Sequence, residues 1–320
     1  MVDIVAGCQA RRWYEDIPAD EYLGDIHTML SHGERLMLHW LAKNLALTEN
    51  GSIIDAGCFL GGSTLALATG LGQRHTRDDQ NYRIHTYDIF IAPNDGYSLK
   101  AIGNSRRPGQ TVLDLFAKNV ENFCEKIFVH GGDFLKSLAP HGGIDILFID
   151  IAKTRDLNRK LVEEFFPKLI PGHSILIQQD YNDHSCPWIN ATMEILSEYF
   201  EYLIDESGSR IFLLTKEIPV DLIRHTAQMG LEDELSLLKT AVRNERVDIS
   251  RFFTSVGAGW TILELSGSEA AIEYLNTLQF DQPWESDVPY INDVKAAMEL
   301  VKNTDGLKKY HSTFFSKSVI

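Results

Sequence analysis

Residues 52–68 read Ser52-Ile-Ile-Asp-Ala-Gly-Cys-Phe-Leu-Gly-Gly-Ser-Thr-Leu-Ala-Leu-Ala68. An apolar run ends on Asp55, glycines follow at Gly57, Gly61 and Gly62, and a helical pattern starts at Ser63. This is strand, tight turn, helix, with a carboxylate at the strand's carboxyl end. Glycine tolerates positive φ and leaves bare backbone for a ligand to approach. Amides at the helix start then face that ligand, in the crevice where open α/β sheets bind cofactors. A dinucleotide site needs G-x-G-x-x-G. Here Phe59 stands where the second glycine belongs, which argues against a pyrophosphate ligand and a nicotinamide enzyme.

Outward from this stretch, strands and helices alternate. Residues 27–47 carry apolar positions at helical spacing and predict an amphipathic helix before the first strand. Further strands are predicted at Arg83–Asp88, Lys126–His130, Ile144–Asp150, Ser174–Gln178, Tyr202–Ile204 and Arg210–Leu214. Helices are predicted at Ser63–Leu71, Thr111–Phe123, Leu157–Leu169 and Trp188–Phe200. The fourth strand is almost continuously apolar, as a strand buried on both faces would be. Residues 72–81 and 90–109 read as loops, the latter from the turn chemistry of Pro93-Asn-Asp-Gly96 and Arg106-Arg-Pro-Gly109. The pattern predicts an α/β fold: a Rossmann-like, seven-stranded, mostly parallel sheet with helices on both faces.

Beyond residue 216 the pattern turns helical, over Val220–Gly230, Glu232–Asn244, Ser268–Leu278 and Asn292–Asn303, with one strand-like stretch at Trp260–Leu263 and a loop at 281–289. The expected organisation is a helical N-terminal lead-in (1–50), a sheet domain (51–216) and a mainly helical C-terminal extension (217–320). The extension would serve packing, a homo-oligomer contact, or capping of a substrate pocket.

Composition narrows the function. The chain has 320 residues, 44% hydrophobic and 23% charged, with a net charge of −15. Such an acidic surface argues against nucleic acid or an anionic membrane as partner, since both require clustered Lys and Arg. The four cysteines (Cys8, Cys58, Cys124, Cys186) form no C-x-x-C pair and read as free thiols. No secretory leader and no membrane span are legible, and the expected location is cytoplasmic.

The pattern Asp-x-Gly-x-x-x-Gly-x-Ser-Thr resembles motif I of class I S-adenosylmethionine (SAM) methyltransferases, and the likeness extends over Ser52–Lys216. The resemblance implies SAM as cofactor. Asp55, Gly57, Phe59, Gly61 and Ser63 fall on motif I. Asp88, at the end of the second strand, falls where an acid binds the ribose hydroxyls. Asp133 and Phe134 fall where an acid and an apolar residue hold the adenine. One departure is the distance from the glycine loop to Asp88, longer than the usual ~20 residues; an insertion at 72–81 would absorb the excess.

The acceptor side resembles metal-dependent O-methyltransferases of the catechol and macrocin types. Asp150 ends the fourth strand, Lys153 follows it, and Asp180-Tyr181 follow the fifth. The resemblance implies magnesium held by Asp150 and Asp180, an acceptor hydroxyl lowered in pKa by the metal, and Lys153 as base. Two positions depart from the macrocin pattern: Ala152 and Gln179 stand where acids are usual, leaving few charges for magnesium. His184 offers a metal-free base. The expected function is O-methylation of a small hydroxylated acceptor, a sugar or secondary metabolite. The alternative is a SAM-binding sensor or assembly protein without catalysis.

Overall fold

The computed structural model describes residues 3–17, 26–74, 84–94 and 96–278. Seven strands form one sheet: β1 (Gly51–Ala56), β2 (Ile84–Asp88), β3 (Ile127–Gly131), β4 (Gly143–Ile149), β5 (Ile175–Gln178), β6 (Phe200–Glu206) and β7 (Ser209–Leu214). Their order is β3-β2-β1-β4-β5-β7-β6. The first five run parallel, and β7 is antiparallel to both β5 and β6. The expected Rossmann-like, mostly parallel sheet is what forms. The chain steps from β1 to β2 to β3 in one direction, then returns to β4 and β5 on the other side of β1. The carboxyl ends of β1 and β4 therefore flank the switch point, where a crevice opens in such sheets.

Helices α1 (Ile4–Gln9), α2 (His32–Asn44) and α3 (Gly62–Gly72) share a core with the sheet: Leu36, Leu38, Leu41 and Leu67 pack with Ile53, Ile146, Phe148 and Ile177. The start of α2 is set by a capping box, in which Ser31 accepts from the Glu34 amide and Glu34 accepts from the Ser31 amide. Tyr87 on β2 meets Phe134 and Phe165 edge-on, tying the strand to the chain beyond α6 (Arg155–Glu164).

Several elements differ from the sequence reading. Within 90–109, expected as loop, lie α4 (Gly96–Ile102) and a 3₁₀ turn at Gly103–Ser105. Turn formers at both ends hid a short helix whose Ile102 is buried with Phe90, Val112 and Phe116. The helix expected over 111–123 is α5 (Leu113–Asn119) followed by a 3₁₀ turn. The strand expected at Trp260–Leu263 lies inside a helix: after α7 (Pro187–Ile195), α8 (Val220–Ala227) and α9 (Leu231–Asn244), α10 spans Asp248–Ser266, ahead of α11 (Ser268–Thr277). The short apolar run misled because Val256, Trp260 and Leu263 belong to one helical stripe packed on Ile272 and Leu275. The residue Arg83, the loops at 75–81 and 281–289, and the helix expected at Asn292–Asn303 lie outside the described residues.

The chain divides into two compact units, one of Met1–Asp180 with Leu196–Ala227, the other of Tyr181–Ile195 with Gln228–Ile320. Helix α8 belongs to the sheet unit: the Ala227 carbonyl accepts from Arg159 Nε at 2.6 Å. In the second unit α7 packs with α9 and α10, where Ala191, Leu238 and Ala258 are fully buried together. No described helix is long and apolar enough to cross a membrane.

Candidate functional site

The site forms in the sheet unit at the carboxyl ends of β1, β2, β4 and β5. Asp55 closes β1 and is fully buried. Both of its oxygens accept from Ser63 Oγ at 2.9 Å, and Thr64 Oγ1 donates to Oδ2. The carboxylate thus fastens the end of β1 to the first turn of α3, and Ser63 is spent on the same bond. Burial pushes its pKa up to about 6, the Thr64 and Ser63 hydroxyls pull against that, and the Asp88 charge adds to it.

Gly57 is held at φ +99°, and a Cβ there would lie 2.5 Å from the Asp150 carbonyl oxygen. The residue's bareness therefore serves the backbone of the neighbouring β4 end, a reason different from the ligand approach the sequence alone implied. Gly61 caps α3 in a left-handed conformation, and Phe59 also has positive φ, at 44°. Asp88 reaches across from β2: Phe59 N–H donates to Oδ2 at 2.8 Å and Phe90 N–H to Oδ1 at 2.7 Å. Burial raises its pKa and these amides lower it. The Ile89 amide adds to these two, and a carboxylate's roughly four lone-pair sites leave capacity for a ligand hydroxyl beyond three amides.

Asp133 is exposed; it caps the 3₁₀ turn Phe134–Lys136 by accepting from the Leu135 amide. Phe134 is buried, stacked on Phe165 at 5.3 Å between ring centroids.

Asp150 and Asp180 lie at the ends of β4 and β5 with side chains 15% and 12% exposed. Between them stands Lys153, whose Nζ is 2.8 Å from Asp150 Oδ1 and bonded to Asp180 Oδ2. Burial raises the Asp150 pKa; Lys153 lowers it, and Asp180 and Glu34 raise it. Gln179 is beside them, its Oε1 buried and accepting no hydrogen bond. Magnesium does not fit this donor set. It prefers several hard oxygens at octahedral angles, whereas two carboxylates here already hold an ammonium. Among the described residues no group of three His, Cys, Asp or Glu side chains could hold a metal ion.

The other expected base, His184, belongs to the second unit. It is buried, its ring stacks near Phe253 and Trp260, and Nδ1 accepts from the Trp260 indole at 3.0 Å. The structure brings together Asp55, Gly57, Phe59, Gly61, Ser63, Asp88, Asp150, Lys153 and Asp180 within the sheet unit, and packs His184 against Phe253 and Trp260 within the second unit.

A small crevice is lined by Gly57, Cys58, Phe59, Ser63 and Asp150 on one side and by His27–Leu30 on the other. That strap was not anticipated. Glu34 was missed too: it is 2% exposed, accepts from Ser209 Oγ at 2.7 Å, and its pKa is raised by burial. The Ser31-x-x-Glu34 spacing was a readable signal for the cap, though not for a charge near Asp150.

No family model matches this chain, and no curated protein matches it. Among solved structures it is similar to an O-methyltransferase from Bacillus cereus in complex with SAH, at 17% identity over 67% of this chain and 100% of that one, TM-score 0.42. It is also similar to a cofactor-bound protein from MTB, at 15% identity over 66% and 89% of the two chains, TM-score 0.42. A third is the pyocyanin biosynthetic protein PhzM, at 16% identity over 56% and 54%, TM-score 0.34. These are distant likenesses of fold, and no residue role is taken from them.

Proposed function

We propose that the chain is a SAM-dependent methyltransferase that methylates an oxygen of a small hydroxylated acceptor. The observation that supports this most is the bond that Asp88 makes with the glycine turn. Its carboxylate takes the Phe59 amide of the glycine turn and keeps acceptor capacity, as a ribose-binding acid beside a cofactor loop requires. The crevice beside it, lined by Gly57, Phe59, Ser63 and Asp150, would take the methionine part of SAM. Asp133, exposed beyond β3, would meet the adenine.

SAM, when bound, would supply an electrophilic methyl group for direct displacement by the acceptor oxygen, with S-adenosylhomocysteine as the leaving product. Much of the rate then comes from alignment. Asp150 lines the crevice and orients the acceptor hydroxyl, taking its proton as the methyl arrives. Lys153 holds the Asp150 and Asp180 charges in place. The acidic surface fits a small-molecule partner in a cytoplasmic setting better than a nucleic acid or a membrane.

Calorimetric titration with SAM and S-adenosylhomocysteine tests the reading. Micromolar binding that is lost in Asp88→Ala supports it. No binding to either ligand removes it. The second reading, a SAM-binding protein without catalysis, is favoured by one observation: Ala152 and Gln179 leave the acceptor side short of acids. Turnover of any acceptor sinks that alternative.

A further inference from the structure

We infer that Lys153 permanently occupies the cation position of this site, so that the reaction runs without a divalent metal. This rests on the methyltransferase reading for its chemical meaning, but the cation position itself is a property of the fold.

Asp150 and Asp180 end adjacent parallel strands, β4 and β5. Side chains so placed converge on one point beyond the sheet edge, and Lys153 Nζ stands at that point, in contact with both. The lysine arrives there by local geometry. Its N–H donates to the Ile151 carbonyl at 2.7 Å, a tight turn that carries the side chain back over the strand end. Asp180 holds its side of the bridge from a left-handed backbone at φ 66°, a conformation that aspartate adopts more readily than most residues. Gln179, standing where a further acid would complete a metal's ligand set, brings no charge, and its carbonyl oxygen has no donor. Two carboxylates and one ammonium leave a single net negative charge, too little to hold magnesium against water.

The substitution has a consequence for the acceptor. A divalent ion with open positions binds two adjacent oxygens of one molecule at once, and so selects vicinal diols. An ammonium is a compact point charge that can steady one oxygen and imposes no paired geometry. The acceptor class is therefore a molecule with an isolated hydroxyl, for which a neighbouring hydroxyl is dispensable.

The test is binding of Mn²⁺ alone to the purified full chain, followed by the free-ion electron paramagnetic resonance signal. The wild type is expected to take up no Mn²⁺ at millimolar metal. Lys153→Met and Lys153→Gln, checked by circular dichroism, are expected to gain one site, lost again when Asp180→Asn is added. A wild-type Mn²⁺ site abolished by Asp150→Asn or Asp180→Asn overturns the inference. So does failure of both folded lysine variants to gain a site. SAM titration of the same samples separates the two levels. SAM binding with a wild-type Mn²⁺ site refutes this inference alone, whereas absence of SAM binding refutes the functional reading whatever the metal result.

Discussion

Replacing Gly57 by alanine tests whether the glycine serves the sheet or the ligand. Two costs can be separated. The first is conformational: φ +99° is disfavoured for any residue with a Cβ, by roughly 1–2 kcal/mol. The second is steric. The new methyl would lie 2.5 Å from the Asp150 carbonyl oxygen and 2.6 Å from its carbon, both backbone atoms of the β4 end that cannot swing aside. Forced overpacking of this kind costs about 1–3 kcal/mol. Gly57→Ala is then expected to lose about 2–5 kcal/mol in all. Gly172 is the control: it has φ +72° with nothing within 4 Å of an added Cβ, so Gly172→Ala pays only the conformational part, about 1–2 kcal/mol. Urea unfolding followed by circular dichroism reads both. Equal losses in the two variants would show that the contact with Asp150 is not made in solution. A stable Gly57→Ala protein that only failed to bind SAM would return the glycine to the ligand.

Two further outcomes follow from buried charge. Asp55 sits at about 6 against an ordinary 3.8. Its folded pKa is raised, so the charged form costs stability above pH 6, by up to about 3 kcal/mol, and the cost is relieved as pH falls from 6 towards 3.8. The stability of Asp55→Asn relative to the wild type should therefore be greatest at pH 7 and shrink on acidification; a difference that does not change between pH 7 and pH 4.5 in urea titrations contradicts this. Glu206 is 4% exposed and receives Arg11, Trp13 and Tyr14 from the N-terminal segment. Glu206→Gln should cost about 1.5–3 kcal/mol by removing a charged acceptor. It should also speed tryptic cleavage after Arg11 and Arg12, and an unchanged cleavage rate would mean the clamp is not what holds that segment.

The sheet was legible because its strands are buried on both faces. Ile53-Ile54 and Ile146-Leu147-Phe148-Ile149 cannot be placed except inside. Acids at strand ends were legible for the same reason, since an apolar run that stops at Asp55 or Asp150 marks the edge of the sheet. What stayed hidden depended on distance in the sequence. Nothing local to Glu34 announces Ser209, and nothing local to Gly62 announces Thr28, which fills the space its side chain would take. The acid at 180 and the lysine at 153 were both visible as candidates, but their bond is a tertiary fact that spacing could not supply. Likewise nothing local to His184 announces its hydrogen bond with the buried indole of Trp260, which α10 brings against it.

The carboxylates around the site share a sign, and this carries a last prediction. Glu34, Asp55, Asp88 and Asp150 are all raised above their ordinary range, with burial the first cause in each. They also act on one another: Asp88 raises Asp55, and Asp180 raises both Glu34 and Asp150. A sulfonium entering the crevice would favour their charged forms and lower those pKa values. Binding must then release protons, most strongly near pH 6 where Asp55 is half titrated. S-adenosylhomocysteine has the same adenosine and amino acid parts without the sulfonium charge, and should release fewer. Titrating both ligands at pH 6 in buffers of differing ionisation enthalpy measures the difference directly. Equal proton release for the two would mean that the acids do not sense the charge of the transferred group, and that the crevice beside Asp150 is not where the sulfur lies.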